Sequence, residues 1–177
     1  MKNVLAIAGS LRSGSTALKV IKTIAQFGIF NVEIFNGLEE IPPFNPDKKD
    51  NVPKQVVEFR QKLQAADGVI ICSPEYVFAV PGALKNAIDW TVSSGEFYGK
   101  AVSIIVASTS GEKAFESLQL ITKTLMARIE NTCLLISGAK SKFDNSDKLT
   151  DLSILEMLKG VTVSLNNEMN KENSTPL

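Results

Sequence analysis

Ser10, Arg12, Ser15 and Thr16 fall within one short loop, Ala8-Gly9-Ser10-Leu11-Arg12-Ser13-Gly14-Ser15-Thr16. Their types suit the binding of a phosphate: hydroxyls and backbone amides donate to its oxygens, and a guanidinium adds a charged, two-pronged contact. An apolar run, Val4 to Ala8, precedes the loop and an amphipathic segment, Thr16 to Phe27, follows it. The order is therefore strand, loop, helix. A helix start has unpaired N–H groups and the positive end of a dipole, both of which favour an anion. The competing reading is a solvated turn capped by Ser15 or Thr16.

Two familiar phosphate loops fail against these residues. The spacing from Gly9 to Gly14 approaches the nucleoside-triphosphate loop, but Ser15 stands where that loop needs a lysine for the outer phosphates. The dinucleotide fingerprint needs a glycine where Leu11 stands, so that backbone can approach a pyrophosphate. What remains suits a terminal phosphate monoester. The sequence contains no histidine. That removes Ser-His and Cys-His nucleophiles, histidine acid–base catalysis and histidine-ligated zinc together. Cys72 and Cys133 each lie in an apolar run and read as buried thiols rather than a disulfide or a metal pair. A cofactor is therefore expected to carry any reaction.

The elements that must position the loop follow along the chain. Asn31 to Phe35 alternates as a second strand. Pro42, Pro43 and Pro46 exclude helix interior or central strand between Ile41 and Pro46, so a surface loop or crossover is expected there. Val52 to Ala66 has one apolar helical face. Gly68 to Ser73 and Ala101 to Ala107 are almost wholly apolar, as strands covered on both faces are. Between them a helix runs from about Pro81 to Trp90. A further helix spans about Lys113 to Ile129, a last strand Thr132 to Ser137 and a final helix about Asp151 to Asn166. The polar residues from Asn167 to Leu177 are expected to fray.

Five strands alternating with five helices make one doubly wound α/β domain over residues 1–177. In such sheets ligands sit beyond the carboxyl ends of the strands, where strand order reverses. That rule selects Gly9 to Ser15, Pro74 to Val80 and Ser108 to Gly111. Lys plus Arg equals Asp plus Glu at 19 each, so no global field draws nucleic acid or anionic membrane. The apolar runs are too short to cross a bilayer or to serve as a signal peptide. A cytoplasmic protein with small-molecule partners is expected.

Three stretches together resemble the NAD(P)H-dependent FMN reductase family, which includes quinone, azo-dye and chromate reductases. They are Ala8-Gly9-Ser10-Leu11-Arg12 with Gly14-Ser15, then Ser73-Pro74-Glu75-Tyr76, and then Pro81-Gly82-Ala83-Leu84-Lys85-Asn86-Ala87-Ile88-Asp89-Trp90. The resemblance extends from Met1 to the final helix. It implies a flavodoxin-like three-layer sandwich with a parallel sheet in the order 2-1-3-4-5. It further implies that Ser10, Arg12, Ser15 and Thr16 hold the FMN phosphate, and that Pro74, Glu75, Tyr76 and Val77 lie along the isoalloxazine, largely through backbone. Ser108 and Gly111 would lie near its pyrimidine end. NAD(P)H would be the co-substrate, a small electron acceptor the partner, and a homodimer or homotetramer the assembly. The flavin would carry the chemistry, so no catalytic side chain and no metal is expected. The sequence departs from the family pattern at Val77, where many relatives have asparagine, near Ala79, where they have a small hydroxyl or glycine, and at Glu112, where relatives often have glycine.

Blander readings compete at single residues. Tyr76 and Phe78 are core aromatics or line a pocket or subunit interface; Val77 to Val80 is unusually apolar for a loop. Trp90 reads as packing, and Lys85 with Asp89 as an i,i+4 surface pair. Glu75 as a general acid or base is the weaker use of that carboxylate, because hydride transfer to flavin needs none. Two other functions stay open: an electron carrier that docks to a redox protein, which the balanced charge argues against, and a regulatory protein of the same fold that has lost its flavin.

Overall fold

The computed structural model describes residues 1–171. Its strands are β1 (Asn3–Ala8), β2 (Asn31–Phe35), β3 (Gly68–Ser73), β4 (Ala101–Ala107) and β5 (Cys133–Ile136). Its helices are α1 (Thr16–Gln26), α2 (Lys54–Ala65), α3 (Gly82–Asp89), α4 (Glu112–Thr124) and α5 (Leu152–Asn170). All neighbouring strands are parallel, in the order β2-β1-β3-β4-β5, so the doubly wound topology is as expected.

Alternation along the central strands builds two cores. Leu5 and Ile7 of β1, Val69 and Ile71 of β3, and Val102, Ile104 and Val106 of β4 pack under Val56, Phe59 and Leu63 of α2, Leu84 and Ile88 of α3, and Leu118 of α4. Their chain neighbours Val4, Ala6, Ile70, Cys72, Ala101 and Ile105 point the other way, against Val20, Ile21 and Ile24 of α1 and Leu158 and Leu165 of α5. Fully burying each branched aliphatic chain contributes about 1.5–3 kcal/mol, which is why β3 and β4 carry apolar residues on both faces.

Because β1 sits between β2 and β3, the chain leaves it in one direction and returns on the other side. The crevice this opens lies at the carboxyl ends of β1 and β3. The proline loop is held by the second half of α3. The Trp90 indole Nε1 donates to Pro42 O at 2.8 Å, and Asn86 donates to Pro42 O at 3.0 Å and accepts from Phe44 N at 2.7 Å. Phe44 stands edge-on to Trp90 with ring centroids 5.2 Å apart. Trp90, at 2 % exposure, is thus the packing residue its sequence context suggests. Lys85 Nζ and Asp89 Oδ1 form the expected helix-surface pair at 2.6 Å.

Three boundaries differ from the sequence reading. The helix expected to reach Ile129 stops at Thr124, because Met126 turns left-handed (φ 58°). Residues 126–128 then run back along β4: Gly99 N donates to Met126 O, Arg128 N to Lys100 O and Val102 N to Arg128 O. The last strand, Cys133–Ile136, is one residue shorter at each end than Thr132–Ser137, although Thr132 O still accepts from Ile104 N at 3.1 Å. Residues 167–170, expected to fray, are the last turn of α5, with Glu168 and Met169 buried. A Cβ on Gly68 would come within 2.6 Å of the Met169 sulfur, so the absent side chain makes room for this turn. Residues 172–177 of the expected tail lie outside the described residues.

Candidate functional site

The loop between β1 and α1 begins where Gly9 N donates to Cys72 O of β3 at 2.8 Å. A Cβ on Gly9 would lie 2.6 Å from Ser73 Oγ and 2.8 Å from Leu84 Cδ2, so only glycine lets the chain turn here. The loop then enters α1 through Ser15, whose Oγ accepts from Leu18 N at 3.2 Å. The cap does not exhaust that hydroxyl: its O–H remains a donor. Both readings of Ser15, cap and ligand, are therefore compatible in one geometry. Ser10, likewise buried, accepts from Arg12 N at 3.3 Å.

Across the crevice, β3 ends in Pro74-Glu75-Tyr76 and a hairpin closed by reciprocal Tyr76–Ala79 backbone bonds of 3.0 Å. Val77 and Phe78 occupy its two corners with φ of 51° and 57°. Such a turn calls for glycine or asparagine, and a β-branched residue there is strained. The corner side chains project into solvent, Val77 at 95 % and Phe78 at 74 % exposure. Tyr76 reaches back instead, its hydroxyl 2.9 Å from Ser10 Oγ, and ties the hairpin to the first loop.

Glu75 joins the hairpin to the third loop. Its backbone N donates to Ser108 Oγ at 3.3 Å. Its carboxylate accepts from Ala114 N at 2.9 Å, Ser110 Oγ at 3.0 Å and Gly111 N at 3.3 Å. The Ala114 amide, followed by the Ser110 hydroxyl and the Gly111 amide, holds this carboxyl below the usual range against a smaller effect of burial. Glu75 is thus charged and occupied in capping α4, not placed as a general acid. Cys72, wholly buried beneath the loops, has its thiol pushed far up by desolvation and is inert packing.

Ser10, Arg12, Ser15, Thr16, Pro74, Glu75, Tyr76 and Ser108 line one cleft of about 470 Å³, within the range of small-molecule sites. Val77 and Gly111 do not line it: Val77 is at the hairpin tip, and Gly111 is buried with φ 104° at the start of α4. Glu112 is exposed in the first turn of α4 and is likewise outside the cleft. Thr109, in the selected loop Ser108 to Gly111, also lines the cleft; the sequence reading missed Lys19 and the turn Gly138 to Ser141, which complete the walls. The loop after the last strand of a parallel sheet was the signal for Lys140 and Ser141, and one helical turn beyond Thr16 was the signal for Lys19. Lys19 is paired with Asp147 at 2.5 Å and stands 5.8 Å from the Phe143 ring centroid. Among the described residues Lys140 makes no ion pair.

The α1 N-terminus lies at the cleft and that of α4 lies behind Glu75, and their electrostatics differ. That of α4 is occupied by the Glu75 carboxylate and has Glu112 in its first turn. That of α1 is capped by a hydroxyl and has no acidic residue in its first turn. An anion entering the cleft is therefore directed to α1, beside Arg12. Hydroxyls, free helix-start amides, a guanidinium and a glycine that permits close backbone approach fit a phosphate monoester, and the size of the cleft fits the flavin attached to it. Among the described residues no cluster of His, Cys, Asp and Glu is suited to hold a metal, and no helix is long and apolar enough to cross a membrane.

Comparison with known proteins agrees with this chemistry. The chain is 32 % identical over 165 residues to the NAD(P)H-dependent FMN reductase PA1204 of Pseudomonas aeruginosa, covering 88 % of each. It is 30 % identical over 168 residues to a quinone reductase of Escherichia coli K12, covering 89 % of each. Its fold matches that of FerB, a flavoenzyme NAD(P)H:(acceptor) oxidoreductase from Paracoccus denitrificans, with a TM-score of 0.77 over 96 % of this chain and 97 % of that one at 22 % identity. Residues 2–145 match the family model of NADPH-dependent FMN reductase. The chain belongs to the NADPH-dependent FMN reductase family.

Proposed function

We propose that this protein is a cytoplasmic FMN-dependent NAD(P)H oxidoreductase that passes electrons to a small acceptor: a quinone, an azo compound, a metal oxyanion or free flavin. The observation that carries the reading is the α1 N-terminus, free of carboxylates and set beside Arg12 in a cleft whose carboxylate, Glu75, is already engaged by the α4 amides.

Ser10, Ser15 and Thr16 donate hydroxyls to the phosphate, with Arg12 as its cation and Lys140 as a second cation on the facing wall. Pro74, Glu75 and Tyr76 offer the backbone along which the ring lies, with Ser108 at its far side and Gly111 and Val77 shaping the turns behind it. The FMN supplies hydride acceptance and electron donation when bound. The protein binds, orients and leaves one face of the ring open to donor and acceptor in turn. The exposed apolar pair Val77 and Phe78 beside that opening is suited to a contact between copies, in a homodimer or homotetramer. The even charge balance favours turnover with small acceptors over docking to a carrier protein.

The absorbance spectrum of the purified protein tests this. Expected are flavin bands with FMN at about one per chain and NAD(P)H oxidation that requires an added acceptor. A colourless protein that takes up no FMN on soaking overturns the proposal.

A further inference from the structure

Among the described residues Glu75 is the one carboxylate that lines the cleft, and it shares the cleft with Arg12, Lys19 and Lys140. Among the described residues it makes no ion pair with any of them. All its hydrogen bonds cross instead to residues 108–114: Ser108 through its backbone N–H, and Ser110, Gly111 and Ala114 through its carboxylate. A cap for α4 alone did not call for this reach. The helix has Glu112 in its own first turn, and a hydroxyl or amide at the cap position serves most helices. What distinguishes Glu75 is that it comes from the loop after β3, between Pro74 and the strained Val77-Phe78 turn. It binds two otherwise separate loops into one wall and brings a full negative charge to that wall.

The sign of its electrostatic effect follows directly. The α4 helix start, whose amides bind Glu75, carries about half a positive charge and by itself would favour the more electron-rich, reduced state of a ring in the cleft. A carboxylate on those same amides cancels that preference and reverses it. From this we infer that Glu75 is a positioning residue for the flavin, an inference that rests on the function proposed above. It fixes the wall against which the ring lies, and its charge lowers the reduction potential of the bound FMN, so that electrons from the donor move on to the acceptor instead of resting on the cofactor. No bond to Glu75 forms or breaks, and it takes no proton.

Two substitutions in the FMN-loaded protein separate the wall from the charge. In Glu75→Gln the amide oxygen still accepts from Ala114 N, and the amide NH2 donates to Ser110 Oγ, which can serve as acceptor. Only the 3.3 Å contact from Gly111 is lost. Expected for Glu75→Gln is a Kd for oxidised FMN within about threefold of wild type, with the ratio of reduced to oxidised affinity raised about tenfold, an upward shift of ~30 mV in the two-electron potential. Expected for Glu75→Ala is at least a tenfold weaker Kd for oxidised FMN, because the loops part. The potential is read by equilibration with reference dyes and the Kd by quenching of flavin fluorescence. A purely structural cap would leave the Glu75→Gln potential unchanged; that result, or a downward shift, overturns the role of the charge. Wild-type FMN affinity in Glu75→Ala overturns the role of the wall. Should Glu75→Ala fail to fold, the Glu75→Gln potential still decides. A wild-type protein that binds no FMN sinks the proposed function itself, an outcome distinct from an unchanged potential in a loaded variant.

Discussion

The indole N–H of Trp90, at the end of α3, donates to the carbonyl of Pro42 at 2.8 Å and so fixes a proline-rich loop from nearly fifty positions earlier in the chain. Trp90→Phe removes that bond and leaves unfilled volume in a buried site. The expected cost is about 1–3 kcal/mol in urea unfolding, with faster proteolytic cleavage between Phe44 and Asn51. A variant as stable and as resistant as wild type would mean that Asn86 alone holds the loop.

Gly9 and Gly14 bracket the same loop with opposite demands. A methyl at Gly9 meets Ser73 and Leu84 at under 3 Å, whereas one at Gly14 meets nothing within 4 Å. Gly9→Ala is expected to cost about 1–3 kcal/mol and Gly14→Ala to stay within about 0.5 kcal/mol of wild type. Equal melting temperatures for the two variants would show that the close approach of β1 to β3 is not rigid.

Val77→Asn should raise stability. Within one chain the valine side chain is 95 % exposed and loses no contact, while its left-handed backbone is a conformation asparagine accepts readily. Relief of about 1 kcal/mol corresponds to about 2–4 °C in Tm for a domain of this size. Thermal unfolding followed by circular dichroism reads it, and an unmoved or lowered midpoint contradicts a strained turn.

Arg12→Ala should weaken FMN by about 1.5–3 kcal/mol, the worth of a charge-assisted contact. Riboflavin, which lacks the phosphate, should bind both proteins alike. Parallel titrations give the comparison, and equal losses for the two flavins would place Arg12 away from the phosphate.

Asp67 ties the start of β1 to the end of α2. Its carboxylate accepts from Asn3 N at 2.7 Å and pairs with Lys2 at 3.2 Å; the Asn3 amide, with Lys2 and Lys100 beside it, holds its pKa below the usual carboxylate value. A folded pKa below the unfolded value of about 3.9 stabilises the protein above that pH, and the contribution fades as pH falls through the folded value. A third of the side chain faces water, so the effect stays within about 1 kcal/mol. Between pH 7 and pH 3 the urea midpoint should therefore fall further for wild type than for Asp67→Asn; identical falls would refute the linkage.

How much of this was legible in the sequence differs from element to element. Strands such as Val69 to Cys72 declare themselves, because residues apolar on both faces have few other places to be. The entry into α1 was readable since Ser15 accepts from Leu18 N and Ser10 from Arg12 N, both within three residues along the chain. The end of α4 was not: Met126 takes a left-handed turn with no glycine to signal it, driven by pairing with Gly99 to Val102. Nor was the extent of α5, which Met169 secures by packing over Gly68, about a hundred positions away. Glu75 lines the cleft, but its carboxylate is held by the Ser110 hydroxyl and the Gly111 and Ala114 amides, 35 to 39 residues later in the chain, and no local pattern encodes that.

The return segment at 126–128 also bears on how copies of this chain meet. β5 pairs with β4 only from Ile104 to Ala107, and the segment covers Ala101 and Val102 below it. The sheet therefore offers no long bare rim: β2 and β5, its two margins, are five and four residues long. Strand-to-strand growth into fibrils finds no template in so short a border, and any association is left to side chains that can part again.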